Sequence, residues 1–284
     1  MLASLTTCHR GEPVQEPFEA AVVIPTTCRP SLAKAVASVF RQAGVRRIQV
    51  LIGIDVARGD PAVIDEIQAM RPPGHAVTVF NLGYSTSARH GGIHPAGDGG
   101  SLRTILTYAA NSRFVAYLDD DNWWHETHIE RLRAAIAGKD WAYTLRWFVD
   151  PDSLEPLAVD RWESVGPGQG VFAQAYGGFV DPNCLMIDKL KCDAAIRGWA
   201  IPMSADARAR TADRTVFHAL RRSPAVGFTG APTSYYVIAP IDDHSAYRLN
   251  WIRAYRRHFG EAALRLDWQP PTYGGALADP TPPT

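Results

Sequence analysis

Four times in the first half of the chain, a short, continuously apolar run is followed by a segment whose apolar residues recur at helical spacing. AAVVIPTT at 20–27 precedes SLAKAVASVFRQAG at 31–44, in which Leu32, Val36, Val39 and Phe40 share one helical face and Gly44 ends the pattern. IQVLIGID at 48–55 precedes PAVIDEIQAM at 61–70, and AVTVFN at 76–81 precedes GSLRTILTYAAN at 100–111. RFVAYLDDD at 113–121 precedes HETHIERLRAAI at 125–136. Strands that are apolar on both faces, alternating with amphipathic helices, predict an α/β fold whose mostly parallel sheet is covered by helices on both sides. In such sheets ligands bind beyond the carboxyl ends of the strands. The polar residues at those ends are Thr26, Thr27, Asp55 and the run Asp119, Asp120, Asp121. The first strand is followed by PTTCRPS rather than GxGxxG, and no GxxxxGK[ST] occurs, which excludes the dinucleotide and P-loop modes.

The three aspartates set the chemical question, because like charges at the end of a buried strand repel unless something positive sits among them. On an extended backbone Asp119 and Asp121 would share one side and Asp120 the other, so two carboxylates could address one site. Hard divalent cations take such oxygens, and Mg²⁺ in particular is held by one or two carboxylates plus substrate phosphates. The residues alone admit a second reading, a solvated acidic turn in which Asp121 or Asn122 caps the following helix.

Charge and cysteine usage narrow the remaining classes. Lys plus Arg and Asp plus Glu both number 29, so there is no basic excess of the kind that marks nucleic-acid binders. Cys8, Cys28, Cys184 and Cys192 are too scattered for a metal knuckle and too few for a disulfide framework, which fits a reducing, cytoplasmic setting. No apolar stretch approaches the roughly 20 residues that span a bilayer. Residues 1–18 and 268–284 read as Pro-, Gly- and Thr-rich tails flanking a single domain. Two halves are expected within it, 19–138 and 139–267.

AVVIPTTCRPSLAKAVASVFRQ, then IGID, then FVAYLDDDNWWHETHIERL, in that order, resembles the GT-A glycosyltransferases of family 2. The similarity covers residues 19–136 well and the region to about 260 more loosely. The resemblance implies an inverting, metal-dependent enzyme that uses a nucleotide-sugar, with UDP favoured. It assigns Pro25, Thr26, Thr27 and Arg29 to the nucleotide base and Asp55 to the uracil or ribose. Asp121 becomes the direct ligand of Mn²⁺ or Mg²⁺, with Asp119 or Asp120 reaching the ribose or the metal shell. Arg103 stands where the family shows an Arg followed by Asn, although Thr104 follows here. The glycine-rich stretch 85–101 is expected as a loop over the donor, and His90 and His94 within it, like His125 and His128, show no metal-binding pattern.

The resemblance further implies a catalytic base at a Glu-Asp pair opening a helix in the second half. The match is TADRTVFHALRRS at 211–223, which makes Asp213 the base, with Ala212 in place of the Glu and an ordinary helix-capping role as the competing reading. Asp181, Asp206 and Asp193 are the alternatives. His244, beside Asp242 and Asp243, is expected as a further metal ligand, better suited to Mn²⁺ than to Mg²⁺. The stretch 171–189, which includes Asn183, is expected to form an acceptor wall, and Trp123 and Trp124 are the first candidates for sugar stacking, ahead of Trp147, Trp162 and Trp199. The absence of QxxRW and of membrane spans implies single, non-processive transfer to a saccharide, lipid-linked or small-molecule acceptor. Arg248, Arg253, Arg256 and Arg257 on one helix offer a surface for peripheral membrane contact. A nucleotidyltransferase on a similar sheet and a non-catalytic nucleotide-sugar-binding protein remain the alternatives.

Overall fold

In a computed structural model of the chain, the described residues are 16–97, 99–203, 212–239 and 243–265, with the side chains of Asp243, His244, Tyr247 and Trp251 outside the description. Asp206, Asp242 and the side chain of His244, each assigned a role above, therefore lie outside the described residues, as do 1–15 and 266–284. Phe18, assigned above to the first tail, is buried and its N–H donates to the Asn111 carbonyl at 2.8 Å.

The first half forms as its patterning dictates. β1 (Ala20–Thr26), α1 (Ser31–Phe40), β2 (Ile48–Ile54), α2 (Val63–Ala69), β3 (Ala76–Asn81), α3 (Gly100–Ala109) and β4 (Phe114–Tyr117) follow in order. β3, β2, β1 and β4 lie side by side, all parallel. Every residue of β1 and β2 is buried, which is why neither strand shows a polar alternation. Val22 and Ile24 face a core shared with Leu32, Val36 and Ile67 of α1 and α2. Val23 and Leu51 face the opposite core, with Leu106 of α3. Each of these large side chains contributes about 1.5–3 kcal/mol on full burial.

The second half extends the sheet by other means. β5 (Trp123–Trp124) and α4 (His128–Ala135) complete the first half, and the second supplies β6 (Trp141–Val149), β7 (Pro156–Val159), β8 (Gly166–Pro167), α5 (Ala173–Tyr176), β9 (Gly178–Phe179), β10 (Leu185–Asp188), α6 (Asp193–Gly198), α7 (Asp213–Leu220), β11 (Val226–Val237) and α8 (Asp243–Phe259). The sheet continues from β4 through β10, β6 and β11 to β5, with β7 beside β6, while β8 and β9 pair apart from it. β10 runs antiparallel to both β4 and β6, β5 antiparallel to β11, and β7 antiparallel to β6. The sheet is thus mixed: β3, β2, β1 and β4 are parallel to one another, β6 and β11 are also parallel, and β10, β7 and β5 run antiparallel to their neighbours.

α8 packs Leu249, Ile252 and Tyr255 against Phe148, Ala158 and Trp162. Three of its arginines are ion-paired to the protein itself: Arg253 to Asp150 and Asp152, Arg256 to Glu261, and Arg248 to Glu163. No described helix is long and apolar enough to cross a membrane.

Candidate active site

A cleft of about 940 Å³ opens at the carboxyl ends of β1, β2 and β4. Its floor begins at the turn after β1. Thr26 Oγ1 accepts the Cys28 N–H at 2.9 Å and donates to Asp120 Oδ2 at 2.6 Å. The Thr27 carbonyl accepts the N–H groups of Arg58 and Gly59, at 3.0 and 2.9 Å. Cys28 sits at φ +62°, a left-handed conformation uncommon outside glycine. Gly59 closes over it: a Cβ there would stand 1.9 Å from the Cys28 carbonyl oxygen, so only glycine allows this approach.

β4 ends at Tyr117, and the aspartates that follow form a turn rather than an extended strand, with the Asn122 N–H donating to the Asp119 carbonyl at 3.2 Å. The side-to-side alternation expected for Asp119 and Asp121 therefore does not apply, yet all three aspartates line the cleft. Asp119 is gripped on both oxygens, by Arg103 on Oδ1 and by Asn183 Nδ2 on Oδ2 at 2.7 Å, and its N–H donates to Asn183 Oδ1 at 2.7 Å. Asp120 is held by Thr26. Asp121 Oδ2 accepts from Arg29 at 2.7 Å, and its Oδ1 makes no bond among the described residues. Burial, reinforced by the charges of Asp119 and Asp120 and opposed by Arg29, pushes the Asp121 carboxyl up to about 6. Burial likewise raises Asp120, against the pull of its Thr26 bond and of Arg29.

Three carboxylates thus meet the guanidiniums of Arg29 and Arg103 at this turn, and a hard divalent cation fits such a donor set of carboxylate oxygens. Among the described residues no three His, Cys, Asp or Glu side chains already converge as a complete metal site. Asp121 has an oxygen to offer, whereas Asp119 has both committed.

At the carboxyl end of β2, Asp55 is anchored by its N–H to the Thr26 carbonyl at 3.0 Å. Its carboxylate accepts from Ser85 Oγ at 2.7 Å and faces His90 Nδ1 at 3.3 Å. The glycine-rich loop thus closes onto Asp55 through His90, a partner that the sequence reading passed over; a histidine 35 residues away along the chain leaves no spacing signal. Pro25, Gly99 and Arg103 complete this wall, with the Arg103 guanidinium 5.1 Å from the centre of the Trp199 ring.

Asp213 opens α7 and lines the opposite wall with Ala212, Asp181, Tyr236 and Arg248. Its Oδ1 accepts from the Arg214 N–H at 2.7 Å, in the manner of a helix-terminal residue. Asp181 is committed more heavily, accepting from Arg146 at 2.5 Å on one oxygen and from Asn183 at 2.7 and 2.9 Å on the other. Asp193 lies on α6, bonded to Tyr108 and Arg197, and does not line the cleft.

The tryptophans expected at the acceptor are placed otherwise. Trp124 is buried against His128, ring centres 4.1 Å apart, and donates to the Asn183 carbonyl at 2.8 Å. Trp123 is sandwiched between Lys34 and Tyr235. Neither lines the cleft; among the described residues, Trp199 is the tryptophan that does. Asn183 is wholly buried and serves Asp119 and Asp181 rather than open space.

Behind Asp181 lies Arg146, 2% exposed, which also donates to Asp160 at 2.8 Å and Glu163 at 3.0 Å and lies 4.0 Å from the centre of the Tyr236 ring. Burial alone would weaken its charge, but Asp181 and Asp160 hold its pKa well above the ordinary value. The signal for it is a lone arginine inside the apolar run WAYTLRWFV.

No protein-family model and no curated protein matches the sequence. Solved structures do match in fold. The first 349 residues of S. aureus TarS superpose with a TM-score of 0.54 at 13% identity, over 84% of this chain and 65% of that one. The same protein in complex with UDP-GlcNAc gives 0.55 at 13%, over 84% and 66%. The chain thus spans slightly less than two thirds of those TarS chains. Mannosyltransferase PcManGT from Pyrobaculum calidifontis, in complex with GDP-Man and Mn²⁺, gives 0.50 at 15%, over 93% and 68%. The fold is that of the GT-A glycosyltransferases.

Proposed function

We propose that this chain is an inverting, non-processive glycosyltransferase of family 2 that moves one sugar from a nucleotide-sugar, UDP-sugar favoured, to a hydroxyl acceptor. The observation that carries the reading is that Thr26, Thr27, Asp55, the aspartate turn and Asp213 all line one cleft. Its GT-A fold is shared with proteins solved with UDP-GlcNAc and with GDP-Man and Mn²⁺.

The nucleoside lies along Pro25, Thr26 and Thr27, where Asp55 accepts hydrogen bonds from base or ribose in exchange for those it takes from its own loop. Asp121 would hold the divalent cation, with His244 as a further ligand. When bound, that ion would offset the negative charge growing on the departing diphosphate. Asp119, clamped between Arg103 and Asn183, orients the turn, and Asp120 locks it to Thr26. Asp213 accepts the proton of the acceptor hydroxyl as that oxygen bonds to the anomeric carbon and the bond to the diphosphate oxygen breaks on the opposite side. Its second oxygen, unlike either oxygen of Asp181, is left for this task among the described residues.

Calorimetric titration of UDP, with GDP and dTDP as comparisons, tests the donor site. UDP should bind in Mn²⁺, should fail to bind in EDTA, and should lose about tenfold or more in affinity in Asp121→Asn, a change of about 1.4 kcal/mol. Absence of binding by any nucleotide overturns the reading and returns the aspartates to a solvated turn.

A further inference from the structure

Two arginines face the aspartate turn, and they are held differently. Arg103 is 6% exposed, packs near the Trp199 ring and grips Asp119. The Arg29 side chain is 53% exposed, and one of its nitrogens, Nη1, lies 2.7 Å from Asp121 Oδ2 and 3.4 Å from Asp120 Oδ1. One nitrogen of a delocalised cation thus bridges the two carboxylates, beside the Asp121 oxygen that a divalent cation would use.

The backbone beneath Arg29 is fixed. Cys28 is tied to Thr26, and Gly59 closes against the Cys28 carbonyl. Release of the guanidinium therefore needs side-chain rotation alone. Charge decides when that happens. Three carboxylates face two guanidiniums, and a divalent cation arriving with Arg29 still in place would set like charges side by side. If Arg29 leaves as the ion arrives, the aspartates, Arg103 and the ion are together neutral. Arg29 lines the same cleft, so its planar fork stays within the space a diphosphate would occupy, and it matches phosphate oxygens as well as carboxylate oxygens.

We propose that Arg29 is the exchangeable counter-cation of the aspartate turn: it neutralises Asp120 and Asp121 before a divalent cation binds, and transfers to the donor diphosphate when the cation enters. The inference rests on the donor site proposed above. Its consequence is that cation and nucleotide bind as a coupled pair, each raising the affinity for the other by the same factor.

Mn²⁺ titration followed by the electron paramagnetic resonance signal of the free ion, with and without UDP, tests this on wild type, Arg29→Gln, Arg29→Lys and Asp121→Asn. Without UDP, Arg29→Gln should bind Mn²⁺ about three- to tenfold more tightly than wild type, because a competing ion pair is gone. The gain in Mn²⁺ affinity on adding UDP should shrink by a similar factor. Arg29→Lys keeps the charge without the fork, so it should match wild type for Mn²⁺ alone and still lose part of the UDP gain. Equal or weaker Mn²⁺ binding by Arg29→Gln, with wild type binding both ligands and Asp121→Asn losing them, overturns the role of Arg29 and leaves the donor site standing. Failure of wild type to bind either Mn²⁺ or UDP removes both.

Discussion

Around β1 and β2, the residues facing the cleft hang from parallel strands that are buried throughout, and backbone hydrogen bonds fix the turns that carry them. Around β6, β10 and α7 the support comes instead from side chains: Arg146 joins Asp160, Glu163 and Asp181, and Asn183 carries that chain on to Asp119. Backbone-built geometry survives the loss of one side chain. A network of buried ions does not, since removal of one member leaves the others desolvated and uncompensated. The β1–β2 side of the cleft is therefore the robust part, and the side built on β6 and β10 the part that fails as a unit.

The sharpest way to separate the halves is Asp213→Asn. Transfer should fall by about 10²- to 10⁴-fold, the range for loss of a general base, while UDP affinity stays within about twofold. Parallel kinetics and calorimetry check this, and preserved transfer would remove Asp213 as base. Next in size, Arg146→Ala should cost about 3–5 kcal/mol of stability, because Asp160 and Asp181 are left buried without their partner. Urea denaturation measures it, and a loss below about 1 kcal/mol would break the contrast drawn here.

The smallest effect concerns the seam between the halves, where His128 of α4 stacks on Trp124 of β5 and bonds Thr233 of β11 at 2.9 Å. Burial lowers its pKa from 6.5 to about 3, with the Thr233 contact acting in the opposite direction. The unfolded chain therefore takes up the proton first, so stability is complete above about pH 6.5 and is lost as pH falls toward 3. Between pH 7 and 5 this amounts to about 2 kcal/mol. Urea midpoints at the two pH values, compared between wild type and His128→Phe, isolate it; an equal fall in both proteins would assign the acid sensitivity elsewhere.

The same contrast explains what was legible in the sequence. β1, β2, β3 and their helices announce themselves through continuous apolar runs and helical periodicity, signals that are local. So does the aspartate run, since a carboxylate cluster at a strand end is visible in a single window. The contacts that give each aspartate its separate environment are not local. Asn183 reaches Asp119 across 64 positions, and Arg146 reaches Asp181 across 35. Trp124 reads as a surface platform because it follows a metal-like motif, yet the antiparallel pairing of β5 with β11 turns it into the core. Only the tertiary arrangement decides which way such a side chain faces.

β11 carries one more consequence. It lies near the margin of the sheet, and its outer side is paired with β5 only at Ser234 and Tyr235. A long margin strand with the half-exposed Phe228 invites a second copy of the chain to add to the sheet. Its register against β6 shifts between Phe228 and Pro232, Gly230 turns left-handed at φ +70°, and Pro232 offers no N–H. A strand approaching that margin would meet an interrupted ladder, one of the ways in which native sheets blunt an exposed edge.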